Sequence, residues 1–372
     1  MEVNRSIPII IEYDNSLDKT VDAYMTVLGK LSPLGYNNGS PLPKLPLHYK
    51  AYHACKNIVS AQMTENAIGH VAGAYASVKK RHPAKKPFVF KSRVADYLIG
   101  KRGRDASFPD DGSISIWTVD GRKRYKFSIP NAFKSIFDNC IEKDSLTVFE
   151  RNGKLHATLC ITIEVPEQVG FLPVGIDLNE TNAIVAADSD DRVFFESGKT
   201  YKVRNKRSFK TRKRLQSKFA NKKAQKKDSR SLRRLLKRLS NKRLNCTKNF
   251  CRQTAKEFID WVKPNSVLVF ENLKSLSKKK MGFNKSLNRR KAFWPRSQLR
   301  QCIKNKAELR GIPITNINPA YTSQTCSKCG HLGERKRHAF TCVCGNVSHA
   351  DVNAAINIRA KYAEVVKTKS SR

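Results

Sequence analysis

The stretch LPVGIDLNETNAIVAADSDDRVFFES, residues 172–197, decides the fold. Three apolar runs, Leu172–Asn179, Asn182–Ser189 and Arg192–Ser197, are separated by short segments rich in Asn, Glu, Thr and Asp, so they read as an antiparallel three-strand meander. Asp177 interrupts an otherwise apolar strand. An ionised group beside a buried strand has to be paired or metal-bound to offset its desolvation.

Working outward, Tyr201–Phe250 reads as a helical hairpin. Leu232, Leu235, Leu236 and Leu239 recur at i, i+3, i+4 and i+7, and Cys251, Ala255, Phe258, Ile259 and Val262 carry an apolar stripe further. Ser266–Phe270 is a strand buried on both faces by its composition and ends at Glu271; after a second basic stretch, Lys274–Arg310, Ile312–Ile317 gives another strand. Asp351 opens an alanine-rich helix through Tyr362, where an acid also suits the positive end of the helix dipole as a simple cap. This order of elements is ribonuclease-H-like, a topology in which the first and fourth strands lie side by side. The carboxylates of Asp177, Glu271 and Asp351 then meet and can hold two divalent ions about 3.5–4 Å apart. Hard oxygen ligands in an open geometry favour Mg²⁺ or Mn²⁺ over zinc.

A second metal signal lies between these elements. Cys326-Ser-Lys-Cys329 and Cys342-Val-Cys344 are two cysteine pairs that a hairpin can bring around one structural Zn²⁺, with Gly330 and Gly345 following them where tight turns aim amides at sulfur. The alternatives are buried free thiols, or replacement of one thiolate by His338 or His349, because the second pair is C-x-C rather than C-x-x-C.

Lys and Arg total 72 against 31 Asp and Glu, a formal net charge of +41. A balance so far from neutrality repels the compact state and calls for a polyanion. The polyanion is nucleic acid or an acidic membrane surface; apolar runs such as Ile7–Ile11 and Ala183–Ala187 are far shorter than the about 20 residues of a spanning helix, which favours nucleic acid and an expectation of no membrane partner. About half the excess sits in one place, since residues 201–250 hold 21 Lys and Arg against the single acid Asp228. A solvated surface helix mixes both signs, so this segment is a track for phosphates, with Lys202, Arg204, Lys206, Arg207, Lys210, Arg212, Lys213, Arg214, Arg233, Arg234, Lys237 and Arg238 as the expected contacts. Trp294 has two readings, a base-stacking platform or a core anchor. The first residues, MEVNRSIPIIIEYD, lack the basic-then-apolar order of a signal peptide, which points to the cytosol, or the nucleoid of a prokaryote, and to reduced thiols.

The 372 residues suffice for two to three domains. In the front half, Ser6–Tyr13 reads as an edge strand, and Leu17 to about Lys80 as helical stretches broken by Ser32–Pro46. From Lys86 to Val165 the pattern is β, with Ile114–Val119 and Tyr125–Ile129 flanking Asp120-Gly121, and Leu146–Arg151 and Lys154–Ile163 flanking Asn152-Gly153. Both dipeptides tolerate the positive φ of two-residue hairpin turns. Pro166 and Gly170 mark a boundary.

The blocks GIDLN (175–179), VFENL (269–273), PAYTSQTCSKCG (319–330), FTCVCG (340–345) and HADVNAAINI (349–358) resemble the TnpB family, transposon-encoded RNA-guided nucleases related to compact type V CRISPR effectors. The resemblance is dense from about residue 172 to 362. It implies an α+β multidomain chain: a wedge-like β-barrel over 1–15 and 86–169, a helical recognition insert over 16–85, an RNase H-like (RuvC) α/β nuclease domain over 170–318 and 349–372, and an inserted zinc ribbon over 319–348. It also implies that Asp177, Glu271 and Asp351 are the nuclease acids, that Cys326, Cys329, Cys342 and Cys344 hold zinc, and that the partners are a guide RNA and a double-stranded target DNA. Cleavage beside a short flanking motif by two-metal hydrolysis is the activity it implies. The rival readings are a catalytically silent RNA-guided DNA-binding repressor and an unguided, transposase-type zinc-ribbon DNA-binding protein.

Overall fold

Buried Val3, Ile7, Ile9 and Ile11 alternate with more exposed neighbours along β1 (Glu2–Ile11), the pattern of a strand with one face in a core. In this computed structural model, which describes residues 1–79, 86–100, 104–272, 288 and 293–370, the chain forms two units. They are Glu2–Glu164 and Val165–Arg372, with Met1 grouped with the second.

The first unit holds α1 (Asn15–Tyr36), α2 (Lys44–Cys55), α3 (Ala61–Lys79), β2 (Val94–Leu98), β3 (Ala106–Ser107), β4 (Ser113–Thr118), β5 (Gly121–Ser128), α4 (Asn131–Asp138), β6 (Cys140–Arg151) and β7 (Lys154–Glu164). Its seven strands run in the order β2-β6-β7-β1-β5-β4-β3, and a bridge between Ile99 and Ala106 joins the two ends, so the sheet nearly closes into a barrel. β1 is therefore interior, bonded to β7 over Glu2–Ile9 and to β5 at Ile10 and Ile11, which corrects the edge-strand expectation. Side-chain alternation records which face is buried and is silent about how many backbone neighbours a strand has.

The β6–β7 turn is the expected one, with Asn152 and Gly153 both at positive φ between paired Arg151 and Lys154. The β4–β5 turn is shifted. Thr118 pairs with Gly121, so the loop residues are Val119 and Asp120, and the Asp120 carboxylate is taken by the Ser16 hydroxyl at 2.7 Å. Asp14 caps α1 by accepting from the Ser16 and Leu17 amides, and Leu17, Val21, Tyr24, Leu28 and Leu31 form its buried stripe. Arg93 binds Asp18 and Asp22 of α1 and Glu150 of β6 at 2.7–3.0 Å, pinning helix to sheet.

The second unit contains β8 (Leu172–Asp177), β9 (Asn182–Ala187), β10 (Val193–Ser197), α5 (Lys199–Ala224), α6 (Arg230–Trp261), β11 (Ser266–Glu271), α7 (Arg296–Glu308), β12 (Ile314–Ile317), β13 (Glu334–Lys336), β14 (Ala339–Thr341), β15 (Val347–His349) and α8 (Ala350–Ser370). Five strands form a sheet in the order β10-β9-β8-β11-β12, antiparallel from β10 to β8 and parallel from β8 through β11 to β12. The basic stretch expected from Lys274 lies, up to residue 292 and apart from 288, outside the described residues.

Period-two alternation sorts the sheet's side chains. Val174, Ile176, Leu268 and Phe270 pack with Cys251, Ala255, Phe258 and Ile259 of α6 and Leu299, Ile303 and Ala307 of α7. The residues between them meet α8: Val185 and Ala187 pack on Ala355, and Val269 packs on Ile358. Gly175 lies on this second face, where a Cβ would collide with the Ala355 carbonyl and stand 2.6 Å from the Arg359 backbone nitrogen. The missing side chain is what lets α8 settle onto β8.

Candidate active site

Asp177 and Glu271 are the last residues of β8 and β11, and each lies two positions beyond a residue of the α8 face, Gly175 and Val269. The parallel register pairs Phe270 with Ile176, which sets the two acids beside each other at the carboxyl end of the sheet. Asp351, in the first turn of α8, is buried to 1% exposure on the same side. Burial pushes the Asp177 carboxyl up to about 7, and the negative charges of Asp351 and Glu271 add to the rise, while Asn179 and Arg335 oppose it. Three acids from distant parts of the sequence thus share one electrostatic environment.

Each acid is held by neighbours. Asn179 donates to Asp177 Oδ2 at 3.3 Å, and its own Oδ1 accepts the Thr181 and Asn182 amides. The Thr322 hydroxyl donates to Glu271 Oε1. Asp351 accepts from Asn182 Nδ2 at Oδ2 and from the Arg335 guanidinium at Oδ1, both at 2.7 Å. Arg296 of α7 is also near: burial lowers its pKa, and Glu271 and Asp177 work against that. The three acids do not draw one oxygen each to within 4.8 Å of one another, and Arg335 supplies positive charge at Asp351 instead. The donor set still suits hard divalent ions: anionic oxygens only, with a mutual repulsion that a cation relieves.

The four cysteines expected as zinc ligands come together. Cys326 Sγ lies 3.7 Å from Cys344 Sγ and Cys329 Sγ 3.5 Å from Cys342 Sγ, and all four sulfurs fall within 4.8 Å of one another. Gly330 and Gly345 take positive φ and donate to the Cys326 and Cys342 carbonyls. Burial acts to raise the Cys326 thiol, but amides of Cys329 and Lys328 and the Asn346 side chain hold it down to about 6. Four convergent sulfurs fit a tetrahedral zinc ion, with β13–β15 making the domain zinc-ribbon-like. His338 and His349 lie apart from the sulfurs and gather at Asp351. The segment between β12 and β13 is tied to α8 by Asn353 and Asn357, whose amides donate to the Thr325 and Thr322 carbonyls at 2.6–2.9 Å.

The basic residues expected as phosphate contacts lie on α5 and α6. Arg204, Lys206, Arg207, Lys210, Lys213, Arg214, Arg233, Arg234, Lys237 and Arg238 are exposed; Lys202 and Arg212 are half-buried, and Lys202 pairs with Glu180 at 3.5 Å. Trp294 is a core anchor, packed on the α6–α7 cluster and in edge contact with Tyr201. Sequence reasoning missed Asn179, Asn182, Thr322, Arg296 and Arg335. All five are polar or basic residues in polar or basic surroundings, where composition gives no contrast; the one available signal was their nearness in sequence to the acids and cysteines.

Two family descriptions match: residues 159–267 fit a probable transposase family, and residues 297–358 fit the Cas12f1-like TNB domain. A TnpB-like protein of Aquifex aeolicus is 36% identical over 129 residues, 32% of this chain and 42% of that protein. A CRISPR-associated endodeoxyribonuclease Cas12f1 from an uncultured archaeon is 36% identical over 124 residues, 30% of this chain and 23% of that protein. The matched stretches therefore span less than half the length of either relative. In fold, the chain is similar to Cas12f1 in a complex with sgRNA and target DNA, with a TM-score of 0.60 at 17% identity, covering 92% of this chain and 80% of that one.

Proposed function

We propose, from the premise that the second unit is that of a TnpB-family protein, that the chain is an RNA-guided DNA endonuclease. The observation that carries this reading is the shared environment of Asp177, Glu271 and Asp351, in which burial and two neighbouring negative charges lift the Asp177 carboxyl to about 7. The strand order supports an RNase H-like (RuvC) nuclease domain, with β8 and β11 as its first and fourth strands. The near-closed barrel and α1–α3 correspond to the wedge and recognition insert, and residues 319–348 to the ribbon.

In this reading Asp177, Glu271 and Asp351 hold two divalent ions, Mg²⁺ or Mn²⁺. When bound, these supply Lewis acidity to the scissile phosphodiester. The protein's own groups prepare the site: Thr322 orients Glu271, Asn182 orients Asp351, and Asn179 restrains Asp177. Arg296 and Arg335 bring positive charge toward a phosphate at the acids. Water attacks phosphorus, the bond to O3′ breaks, and the fragments end in 5′-phosphate and 3′-hydroxyl. The exposed Lys and Arg of α5 and α6 bind the guide RNA and its duplex with the target strand, base pairing reads the sequence, and the protein reads a short flanking motif.

The test is RNA sequencing of material co-purified with the full chain, followed by cleavage of a matching target in magnesium. Guide-dependent cutting that disappears in Asp177→Ala, with target binding retained, is the expected result. Binding without cutting by the unaltered chain identifies the silent repressor. Cutting that is indifferent to RNA identifies the unguided protein.

A further inference from the structure

Besides the cysteines, one group of possible ligands is drawn tightly together among the described residues. His338, His349 and Asp351 each bring a donor atom within 4.8 Å of the other two. The backbone holds them there. His338 sits in the turn between β13 and β14, directly after Arg337 at a φ of 56°, and its carbonyl accepts the Ala350 amide at 2.8 Å. His349 faces Ala339 across β14 and β15. The two imidazoles stack with centroids 5.6 Å apart, and Phe195 meets His349 edge-on at 5.1 Å.

His349 Nδ1 accepts the Asp351 amide at 3.2 Å, so this nitrogen carries its lone pair on the Asp351 side. A metal ligand has to be an unprotonated nitrogen of this kind, and an ion bound at it takes the lone pair over from the Asp351 amide. Asp351 already attracts one cation, the Arg335 guanidinium at Oδ1.

We propose that His338, His349 and Asp351 form a second transition-metal site, distinct from the four cysteines, which takes Zn²⁺ and thereby withdraws Asp351 from the nuclease carboxylates. Two imidazoles and one carboxylate match zinc and cobalt, whereas magnesium keeps to oxygen ligands. An ion held there competes with Arg335 for the Asp351 carboxylate. Zinc is then an inhibitor of the chain as well as a structural part of it. The inhibition rests on the nuclease reading; the binding does not.

The experiment counts zinc in the full chain after equilibration with the free ion, in the unaltered protein and in His338→Ala and His349→Gln. The unaltered chain is expected to hold one more ion than either variant, and cobalt at that position is expected to give a visible ligand-field band without adding to the thiolate charge-transfer absorption. Equal counts in all three overturn the site. Graded zinc in a magnesium cleavage assay is expected to inhibit the unaltered chain at concentrations that leave His338→Ala active. Equal inhibition overturns the sharing of Asp351. A chain that never cuts yet shows the extra ion refutes the nuclease reading and keeps the metal site.

Discussion

The Asn182 side chain donates to Asp351 Oδ2 at 2.7 Å, both residues being buried, and so ties the second strand of the meander to the last helix across 169 positions of sequence. Removing the amide leaves a buried carboxylate oxygen without its donor. Asn182→Ala is expected to cost about 1–3 kcal/mol, read as a lower urea midpoint at unchanged slope. An unchanged midpoint refutes the link.

Gly175→Ala puts a methyl group into the backbone of α8 at Ala355 and Arg359. The helix has to move outward, and the expected destabilisation is about 1–3 kcal/mol or more. Gly153→Ala, in the β6–β7 turn, meets no atom within 4 Å and pays only for its positive φ. A comparison of the two by thermal denaturation separates collision from backbone strain.

The raised Asp177 carboxyl fixes a sign for pH dependence without divalent metal. The folded chain keeps a proton that the unfolded chain releases near 3.8, so between about pH 4 and 7 this group makes stability fall as pH rises. Above the folded value the loss is complete, on the order of a few kcal/mol. Denaturant midpoints in chelator should show this slope, and Asp177→Asn should flatten it. Added magnesium should restore stability most at the alkaline end, and a flat profile in the unaltered chain counts against the shared environment.

Part of this arrangement is legible in the amino acids and part is not. Asp177 stands out because a charge inside GIDLN is costly wherever the strand is buried, and the order of strands and helices then brings Glu271 and Asp351 to it. Asn182 and Thr322 give no such warning, because a polar residue at a strand end or in a loop costs nothing until a tertiary partner claims it. The interior place of β1 depends on backbone bonds that side-chain pattern does not encode. In the β4–β5 turn, Thr118 pairs with Gly121 and Ser16, far away in sequence, takes the Asp120 carboxylate, a tertiary contact that the Asp120-Gly121 dipeptide does not announce.

Cys326→Ser replaces a buried sulfur that accepts from Asn346 and faces Cys344. Loss of one zinc ligand is expected to loosen residues 319–348 and to free the Thr322 hydroxyl from Glu271. Limited proteolysis should then cut within the ribbon, while the barrel unit, Glu2–Glu164, keeps its protection. Simultaneous loss of both refutes independent units.

Replacing Arg204, Arg207, Lys210 and Arg214 of α5 with Gln removes four exposed cations. For single-stranded RNA each lost phosphate contact should lower the slope of log affinity against log salt by about 0.7. Filter binding between low and moderate salt measures it, and an unaltered slope places the RNA elsewhere.

The three acids arrive from β8, β11 and α8, at positions 177, 271 and 351. A polypeptide still emerging from the ribosome has its first two carboxylates long before its third. Under the nuclease reading, cutting competence is acquired only when α8 docks against Gly175 and brings the third carboxylate to the other two.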